Sequence, residues 1–353
     1  MSVRYRCVMK EFGSDFHYLD FYQSHRAHLT DVYREAWYLA DGRQCIIALI
    51  SKYGWKRIWM PEYFCYEVIE SLRQMTDIEI VFYQDFPTND ARGTVATLPY
   101  RDGDVLLRVN YFGMRDFRSE TNVPVPIIED HTHDLMGHWS LYSEADWCIA
   151  SLRKTLPIPV GGMMWSPKGH KMSESENEKR KKENEKIAAE RWKAMEMKAA
   201  YLRGEDVKKE DFRKILVETE EWFDTAEPVT VDDRSMRFIE ELDINAWYNA
   251  KKRNWRMLCQ LVNTKAQILR PDDESCNMFS FAILAPMREL RDQWRKGLIE
   301  RNIYPAVLWN VPEKAHSLVK DISDRVLSIH CDGRYSAEDI EKMAKLINQV
   351  LVL

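Results

Sequence analysis

The stretch that decides the fold is residues 127–162, IIEDHTHDLMGHWSLYSEADWCIASLRKTLPIPVGG. One apolar run ends at Asp130, and a second run, residues 147–150, leads into Ser151 and Lys154. Open α/β sheets bind their ligands at the carboxyl ends of such strands. Burying an unpaired ammonium group is costly, and a neutral lysine amine is a nucleophile that reacts with aldehydes. The stretch therefore predicts a ligand site that contains an acid and a reactive lysine.

The composition of the chain is that of an ordinary globular protein. It has 353 residues, 45% of them hydrophobic and 30% charged, with a formal net charge of −5. This length predicts one large and one smaller domain, and the acidic balance argues against nucleic acid or membrane as a partner. No secretory signal or bilayer-length apolar stretch is visible, and the seven scattered cysteines form no CxxC pair. The predicted location is the cytoplasm.

Strand and helix signals alternate along the first half of the chain. Apolar runs predict strands at residues 57–60, 78–83, 105–109 and 125–128, and helical patterns cover residues 45–50 and 66–72. Alternation of this kind predicts a mostly parallel sheet with both faces covered by helices. The helix after Asp41 and Gly42 begins with free backbone N–H groups, which are a possible anion site.

After Trp165 the sequence becomes rich in Lys and Glu, and we interpret residues 166–225 as a helical insertion. Apolar residues at helical spacing predict an amphipathic helix that ends at Gly204, and a second helix covers residues 209–223. The basic run at residues 179–182 is interleaved with glutamates, which favours a solvated helix face over a nucleic-acid site. The insertion is expected to be either a mobile segment at the mouth of the site or an exposed decoration.

The last third of the chain has its own pattern of strands and helices. Further helices are predicted from residue 233 and over 246–261; strands then follow at 279–284, 303–308 and 326–329. A closing helix over residues 336–352 has Ser336 as its N-cap and Asp339 at its third position. We therefore predict a large α/β domain over residues 1–262 and a smaller α+β domain over residues 263–353.

The histidine-rich segment HTHDLMGH offers a second hypothesis. His131, His133, Asp134 and His138 could hold a metal, since imidazoles two residues apart can share a cation. A second Asp-His pair, which metallo-hydrolases of this spacing place directly afterwards, is absent. A polar loop or a cofactor contact is therefore preferred over a metal site, and no metal is expected.

These motifs, in this order, resemble the DegT/StrS family of pyridoxal-phosphate-dependent sugar aminotransferases. IEDHTH at residues 128–133 is similar to the "IEDxxQ/H" strand end of that family. Lys154 precedes Gly161 and Gly162 at the family's lysine-to-glycine spacing. Weaker similarities extend over most of the chain: ADGR at 40–43, MPEY at 60–63, VNYFG at 109–113, LSIH at 327–330 and GRYSAEDI at 333–340.

The resemblance implies the α/β architecture called fold type I of the pyridoxal-phosphate-dependent transferases, in a homodimer. It also implies a role for each matching residue. Lys154 would carry the cofactor as a Schiff base and move a proton; Asp130 would pair with the pyridine nitrogen, and His133 would lie against the ring. Ser151 and the backbone amides of Gly42 and Arg43 would hold the phosphate.

Three positions depart from the family pattern. Ser151 and Lys154 are three residues apart, whereas the family's serine and lysine are five apart. Cys65 stands where an aromatic residue usually stacks on the ring, so Tyr63, Phe64 or His133 must serve instead. Asp233 stands where the partner chain's asparagine often reaches the phosphate, and a carboxylate there would repel a phosphate dianion.

The resemblance implies transfer of an amino group from glutamate to a keto-sugar carried on a nucleotide, in surface polysaccharide or secondary-metabolite sugar biosynthesis. Retention of Lys154 favours transamination over the sugar-dehydrating members, which have histidine at that position. Two alternatives stay open. One is a catalytically inactive binding or assembly protein of the same fold, which Cys65 and Asp233 would favour, and the other is a metal-dependent hydrolase built on HTHDLMGH.

Overall fold

A seven-stranded sheet forms the centre of the larger part of the chain. The structure is a computed structural model that describes residues 11–20, 27–116, 123–172 and 178–351. The strands of the whole described chain, of which β2–β8 form this sheet, are in order β1 (Phe12–Gly13), β2 (Trp37–Leu39), β3 (Arg57–Pro61), β4 (Glu79–Tyr83), β5 (Asp104–Val109), β6 (Ile127–Asp130), β7 (Trp147–Ser151), β8 (Gly162–Trp165), β9 (Gln267–Ile268), β10 (Phe281–Leu284), β11 (Ile303–Tyr304) and β12 (Val326–Ile329).

The helices cover the faces of the sheet and build most of the rest of the chain. In chain order they are α1 (Leu29–Val32), α2 (Gly42–Tyr53), α3 (Tyr66–Met75), α4 (Arg92–Ala96), α5 (His138–Leu141), α6 (Leu152–Thr155), α7 (Glu178–Leu202), α8 (Lys209–Thr225), α9 (Asp233–Glu241), α10 (Ile244–Leu261), α11 (Arg288–Ile299), α12 (Ser317–Arg325) and α13 (Ala337–Val350). Among the described residues, no helix is both long and apolar enough to cross a lipid bilayer.

The order of the large sheet is β2-β8-β7-β6-β5-β3-β4. Neighbours from β4 to β7 are parallel, and β8 runs antiparallel to both β7 and β2. The predicted α/β fold with a mostly parallel sheet is confirmed, as are its strands. In β5, β6 and β7 the register places Val109 beside Asp130 and Asp130 beside Ile149. The predicted acid therefore ends a buried strand at the carboxyl edge of the sheet.

Two strands of the large sheet, β2 and β8, were not predicted from the sequence. Gly161 and Gly162 follow the prolines at 157 and 159 and were expected to end a loop, whereas β8 begins at Gly162 and pairs with β2. A Cβ atom on Gly162 would lie 2.2 Å from the carbonyl oxygen of Asp41. Glycine is therefore needed there for a close approach between β8 and the start of α2, not only for a turn.

The Lys/Glu-rich segment forms two helices that pack on each other, α7 and α8, and α8 also packs against α3. The predicted stripe of α7 is confirmed, because Trp192 and Met195 are buried. Gly204, with φ of +83°, follows the helix where its end was predicted. Residues 173–177, which belong to the predicted insertion, lie outside the described residues.

The C-terminal part contains a three-stranded antiparallel sheet in the order β12-β10-β9. The strand predicted over residues 303–308 is shorter, because Pro305 has no N–H to donate after β11. Ser336 and Asp339 form the predicted capping box of α13. A cluster of buried apolar side chains contains both Met60 of the large sheet and Phe281 of β10, so hydrophobic contacts cross the predicted domain boundary, which stays a prediction.

Candidate active site

A cavity of about 510 Å³ opens at the carboxyl edge of the large sheet. Its walls come from parts of the chain that are distant in sequence: residues 14–16, the strand ends and the start of α2, the two insertion helices, and C-terminal residues that include Trp309 and Arg334. The sequence predicted a ligand site at this edge from the strand ends alone. Of the predicted site residues, all except Tyr63 line the cavity: Gly42, Arg43, Phe64, Asp130, His133, Ser151 and Lys154.

Asp130 presents a carboxylate without a cationic partner to this cavity. Its Oδ1 atom accepts a hydrogen bond of 2.8 Å from the amide of Thr132, and no ion pair to Asp130 occurs within the described residues. Burial raises the pKa of this carboxyl group, and the hydrogen bonds from Thr132 only partly oppose the shift. A protonated nitrogen placed beside Asp130 would therefore remove the cost of its burial.

Lys154 follows β7 by one helical turn and points its amine into the same cavity. Its side chain is exposed to the open cavity and has no hydrogen-bond or ion-pair partner in the part of the chain that the structure describes. The positive charge of Arg153 lowers the pKa of Lys154, and the surrounding protein lowers it further. A lysine with a lowered pKa has a larger neutral, nucleophilic fraction at neutral pH.

His133 is a neutral aromatic wall of the site. Its Nδ1 atom accepts a 2.9 Å hydrogen bond from the amide of Phe112, so the neutral ring carries its proton on Nε2. Burial lowers its pKa to about 3, and the nearby charge of Lys251 contributes. The ring stacks on Phe279, with 4.3 Å between centroids, and on Trp309, with 5.6 Å. His133 therefore contributes an aromatic ring and an N–H donor to the cavity wall, but no positive charge.

The residues predicted to replace the missing aromatic have different positions. Phe64 is buried against Trp309 and lines the cavity, as does Cys65, whose thiol donates to Glu67 at 3.0 Å. Tyr63 is not part of the cavity wall, because its ring is buried and its hydroxyl donates to the carbonyl of Leu308. Trp309 itself belongs to the wall and was not predicted, since nothing in the local sequence places it there.

The start of α2 lies against the end of β7. Gly42 is required at this approach, because a Cβ atom there would lie 2.8 Å from Cβ of Ser151. The amide of Arg43 is already engaged, because it donates to Oδ1 of Asp41 at 2.7 Å. The hydroxyl of Ser151 has no hydrogen-bond partner among the described residues. Of the predicted phosphate donors, Ser151 is therefore available, and the amide of Arg43 is held by a carboxylate.

A cluster of charges beside Lys154 was missed in the sequence analysis. Arg153 donates to both oxygens of Glu220, at 2.9 and 2.6 Å, and its Nε donates to Asp41 at 2.9 Å. Arg191 of α7 also approaches Glu220, with 3.2 Å between Nη1 and Oε2. Arg153 stands next to Lys154 in the sequence, but the partner on α8 is 67 residues away and leaves no local signal.

The segment HTHDLMGH does not form one metal site. His131 contacts Glu129 at 3.1 Å, and Asp134 accepts the amide of Asn277 at 2.8 Å. Within the described residues, two groups have metal-binding spacing, Glu129-His131-Cys148 and Asp116-His138-Asp273, so the histidines of the segment fall into separate surroundings. This geometry contradicts a hydrolase centre that uses the whole segment. Asp233 lies exposed at the start of α9, outside the cavity wall.

No protein-family model and no curated protein matches the sequence. Solved structures do match. A putative sugar aminotransferase, Spr1654 from Streptococcus pneumoniae, in its PLP form, superimposes with a TM-score of 0.61 at 10% identity, over 92% of this chain and 90% of that chain. A DegT DnrJ EryC1 StrS aminotransferase from Brucella abortus gives a TM-score of 0.58 at 12% identity, over 92% and 88% of the two chains.

Helicobacter pylori PseC, an aminotransferase involved in the biosynthesis of pseudoaminic acid, matches over nearly its whole length. Its TM-score is 0.61 at 11% identity, over 97% of this chain and 99% of that chain. At such low identities the likeness concerns the path of the backbone. The predicted resemblance is confirmed at that level: the chain has the fold of the DegT DnrJ EryC1 StrS aminotransferases.

Proposed function

We propose that this protein is a pyridoxal-phosphate-dependent aminotransferase that transfers an amino group to a keto-sugar. The observation that carries the proposal is that Lys154 and Asp130 line the same cavity. Within the described residues, Lys154 offers an amine without a hydrogen-bond partner and with a lowered pKa, and Asp130 offers a carboxylate without an ion-pair partner. An aldehyde that also bears a protonated ring nitrogen would engage both groups at once.

The residues of the cavity fit pyridoxal phosphate. The ring nitrogen would lie at Asp130, where a positive charge compensates the buried carboxylate. His133 and Phe64 supply aromatic faces for the ring. The hydroxyl of Ser151 lacks a partner within the described residues and would donate to the phosphate. When bound, the cofactor supplies an aldehyde that carries the amino group and a ring that accepts electrons from the substrate carbon.

The chain's own residues supply the rest of the chemistry. Asp130 would hold a proton on the ring nitrogen, because an adjacent positive charge stabilises its carboxylate. The Nζ atom of Lys154 would take a proton from the substrate carbon that loses the amino group and would deliver it to the cofactor carbon that receives that group. Neutral His133 would offer its Nε2–H as a donor without adding a positive charge to the site. The walls of the cavity orient both substrates.

The size of the cavity is that of a small-molecule site. Its volume of about 510 Å³ falls within the usual range for such sites. A structural neighbour named as a putative sugar aminotransferase supports a keto-sugar as the acceptor. We extend the proposal to glutamate as the amino donor and a nucleotide-linked acceptor in surface polysaccharide or secondary-metabolite sugar biosynthesis. A cytoplasmic homodimer is part of the same proposal.

The test is the half-reaction with glutamate alone. The protein is loaded with pyridoxal phosphate, incubated with glutamate, and denatured, and the released cofactor is identified by chromatography. We expect pyridoxamine phosphate from the wild type and none from Lys154→Ala, whereas Lys168→Ala, on an exposed loop, should match the wild type. If the cofactor binds but no amino acid yields pyridoxamine phosphate, the aminotransferase proposal fails and a binding or assembly role replaces it.

A further inference from the structure

Three arginines converge on one carboxylate beside Lys154. The arginine cluster consists of Arg43 at the start of α2, Arg153 of α6 and Arg191 of α7. Nitrogen atoms of the three lie 3.5, 2.6 and 3.2 Å from the carboxylate oxygens of Glu220. The side chain of Arg43 is 5% exposed; its Nε atom lies 3.4 Å from Oδ1 of Asp41 and donates no hydrogen bond within the described residues. Buried guanidinium donors are normally saturated, so this Nε atom is an unused donor of the cluster.

The carboxylates around the arginine cluster differ in how firmly they are held. Asp41 is 3% exposed and caps α2 through the amide of Arg43, so it cannot leave without opening the helix end. Glu220 is 37% exposed and stands on an insertion helix, so its carboxylate can reach water, although it then gives up its ion pairs with the three arginines. A bound phosphate would take over the guanidinium donors that Glu220 releases. Asp224, which pairs with Arg43, is 47% exposed. Glu220 is therefore the exchangeable anion at the centre of the cluster.

The charge balance of the arginine cluster indicates what could replace Glu220. The three arginines carry three positive charges, and Asp41, Asp224 and Glu220 carry three negative charges. A phosphate dianion added to this neutral set would leave two excess negative charges. With Glu220 turned out, the same dianion meets one uncompensated positive charge, which is the more favourable arrangement. A guanidinium group can also donate two hydrogen bonds to two oxygens of one phosphate.

We propose that the arginine cluster is the phosphate subsite for the cofactor, and that Glu220 is an internal counter-ion that gives way when the phosphate binds. This inference rests on the proposed function and extends it, because it moves the phosphate contacts from backbone amides to guanidinium groups. It also gives the insertion a role in the site, since Arg191 and Glu220 both belong to its helices. The subsite lies beside Lys154. This position is required because the phosphate and the aldehyde that reacts with Lys154 belong to the same small molecule.

The test compares pyridoxal phosphate with pyridoxal, which lacks the phosphate. Dissociation constants for both are measured by absorbance titration, and their ratio isolates the phosphate contribution from any change at Lys154. A charge-assisted hydrogen bond contributes about 1.5–3 kcal/mol, so Arg153→Met should reduce the preference for pyridoxal phosphate by about tenfold or more. Glu220→Gln should strengthen binding of pyridoxal phosphate and raise its preference over pyridoxal, because any change at Lys154 affects both compounds.

Glu218→Gln is the matched control, because Glu218 lies on the same helix and faces Lys214 in water. It should change neither constant. The proposal is overturned if Glu220→Gln weakens pyridoxal phosphate binding or leaves it unchanged. It is also overturned if Arg153→Met lowers the affinity for both compounds equally. Failure of the proposed function gives a different result: the wild type would then attach neither compound to Lys154, or would attach pyridoxal phosphate and form no pyridoxamine phosphate with glutamate, whatever the ratio of the two constants. Glu220→Gln removes only one charge, so it tests the proposal even if Arg153→Met does not fold.

Discussion

Arg153 and Glu220 form a two-pronged ion pair that joins the short helix carrying Lys154 to the insertion helix α8. The pair lies at the wall of the cavity, and Arg191 of α7 joins it from the other insertion helix. The Lys/Glu-rich insertion is thus in contact with the site residues through charged side chains. If the insertion only covered the surface, its removal would leave the charges around Lys154 unchanged.

The charge of Arg153 should control the reactivity of Lys154. Because this charge is the largest cause of the lowered pKa of Lys154, Arg153→Met should raise that pKa toward its usual value. Arg153→Lys keeps the positive charge and should keep the pKa low. The measurement is competitive labelling of lysines with an amine-reactive reagent as a function of pH, with Lys154 identified by mass spectrometry. Equal pKa values in wild type and Arg153→Met would show that burial alone sets the shift.

Asp130 should be more important for turnover than for binding. Asp130→Ala removes one partner of a buried charged pair, which costs about 3–5 kcal/mol and weakens pyridoxal phosphate binding by about 100-fold or more. Asp130→Asn keeps the shape and should bind the cofactor better than it catalyses the half-reaction with glutamate. Asp102→Asn, at an exposed position, serves as the control. A fully active Asp130→Asn variant would mean that the carboxylate only caps the strand end.

His133 should make the protein sensitive to mild acid. Its pKa is lowered by burial to about 3, below the value of about 6.5 in an unfolded chain. Between these two values the unfolded state binds the proton and the folded state does not, so the free energy of unfolding decreases as the pH falls from 6.5 toward 3.

The measurement is denaturant unfolding of wild type and His133→Gln at a series of pH values. The variant should lose less stability over this window, by up to about 1.4 kcal/mol per pH unit. His170→Gln, at an exposed position, should keep the wild-type slope. Identical slopes for wild type and His133→Gln would contradict a buried neutral imidazole. Some acid sensitivity should remain, since burial also lowers the pKa of His330 to about 4.

Gly162 should be intolerant of any side chain. A Cβ atom there meets the carbonyl of Asp41 at 2.2 Å, so the start of α2 must shift away from β8. We expect Gly162→Ala to lower the free energy of unfolding by about 1–3 kcal/mol and to weaken pyridoxal phosphate binding. Gly93→Ala is the control, because a Cβ atom at Gly93 has no neighbour within 4 Å. Equal stability of the two variants would show that α2 approaches the strand less closely.

The sequence was sufficient to predict the parts of the site that depend on local pattern. Apolar runs that stop at Asp130 and Ser151 place both residues at one edge of the sheet, because strands that alternate with helices run parallel. The helix after Gly42 and the stripe at Trp192 follow from periodicity in the same way. The predicted strands of the large sheet were confirmed because each is a mainly apolar run bounded by a turn or a proline.

The remaining features depend on contacts between distant segments. The strand β8 contains two methionines after its glycine, a composition that favours no strand. Trp309 reaches His133 only because the C-terminal part folds back over the sheet edge. Glu220 meets Arg153 because of the way in which α8 packs, which the periodicity of α8 does not encode. The engaged amide of Arg43 was predictable, since aspartate before a helix commonly caps it.

Lys154 is the attachment point that we propose for pyridoxal phosphate. The direct measurement is reduction of the loaded protein with borohydride, followed by proteolysis and mass spectrometry. We expect a pyridoxyl group on Lys154 and its absence in Lys154→Arg. Lys251 is an internal control, because it is also buried, with a pKa lowered by burial to about 8, but its Nζ donates to the carbonyl of His133 at 3.1 Å. A pyridoxyl group on Lys251 or another lysine, or on none, would contradict the account.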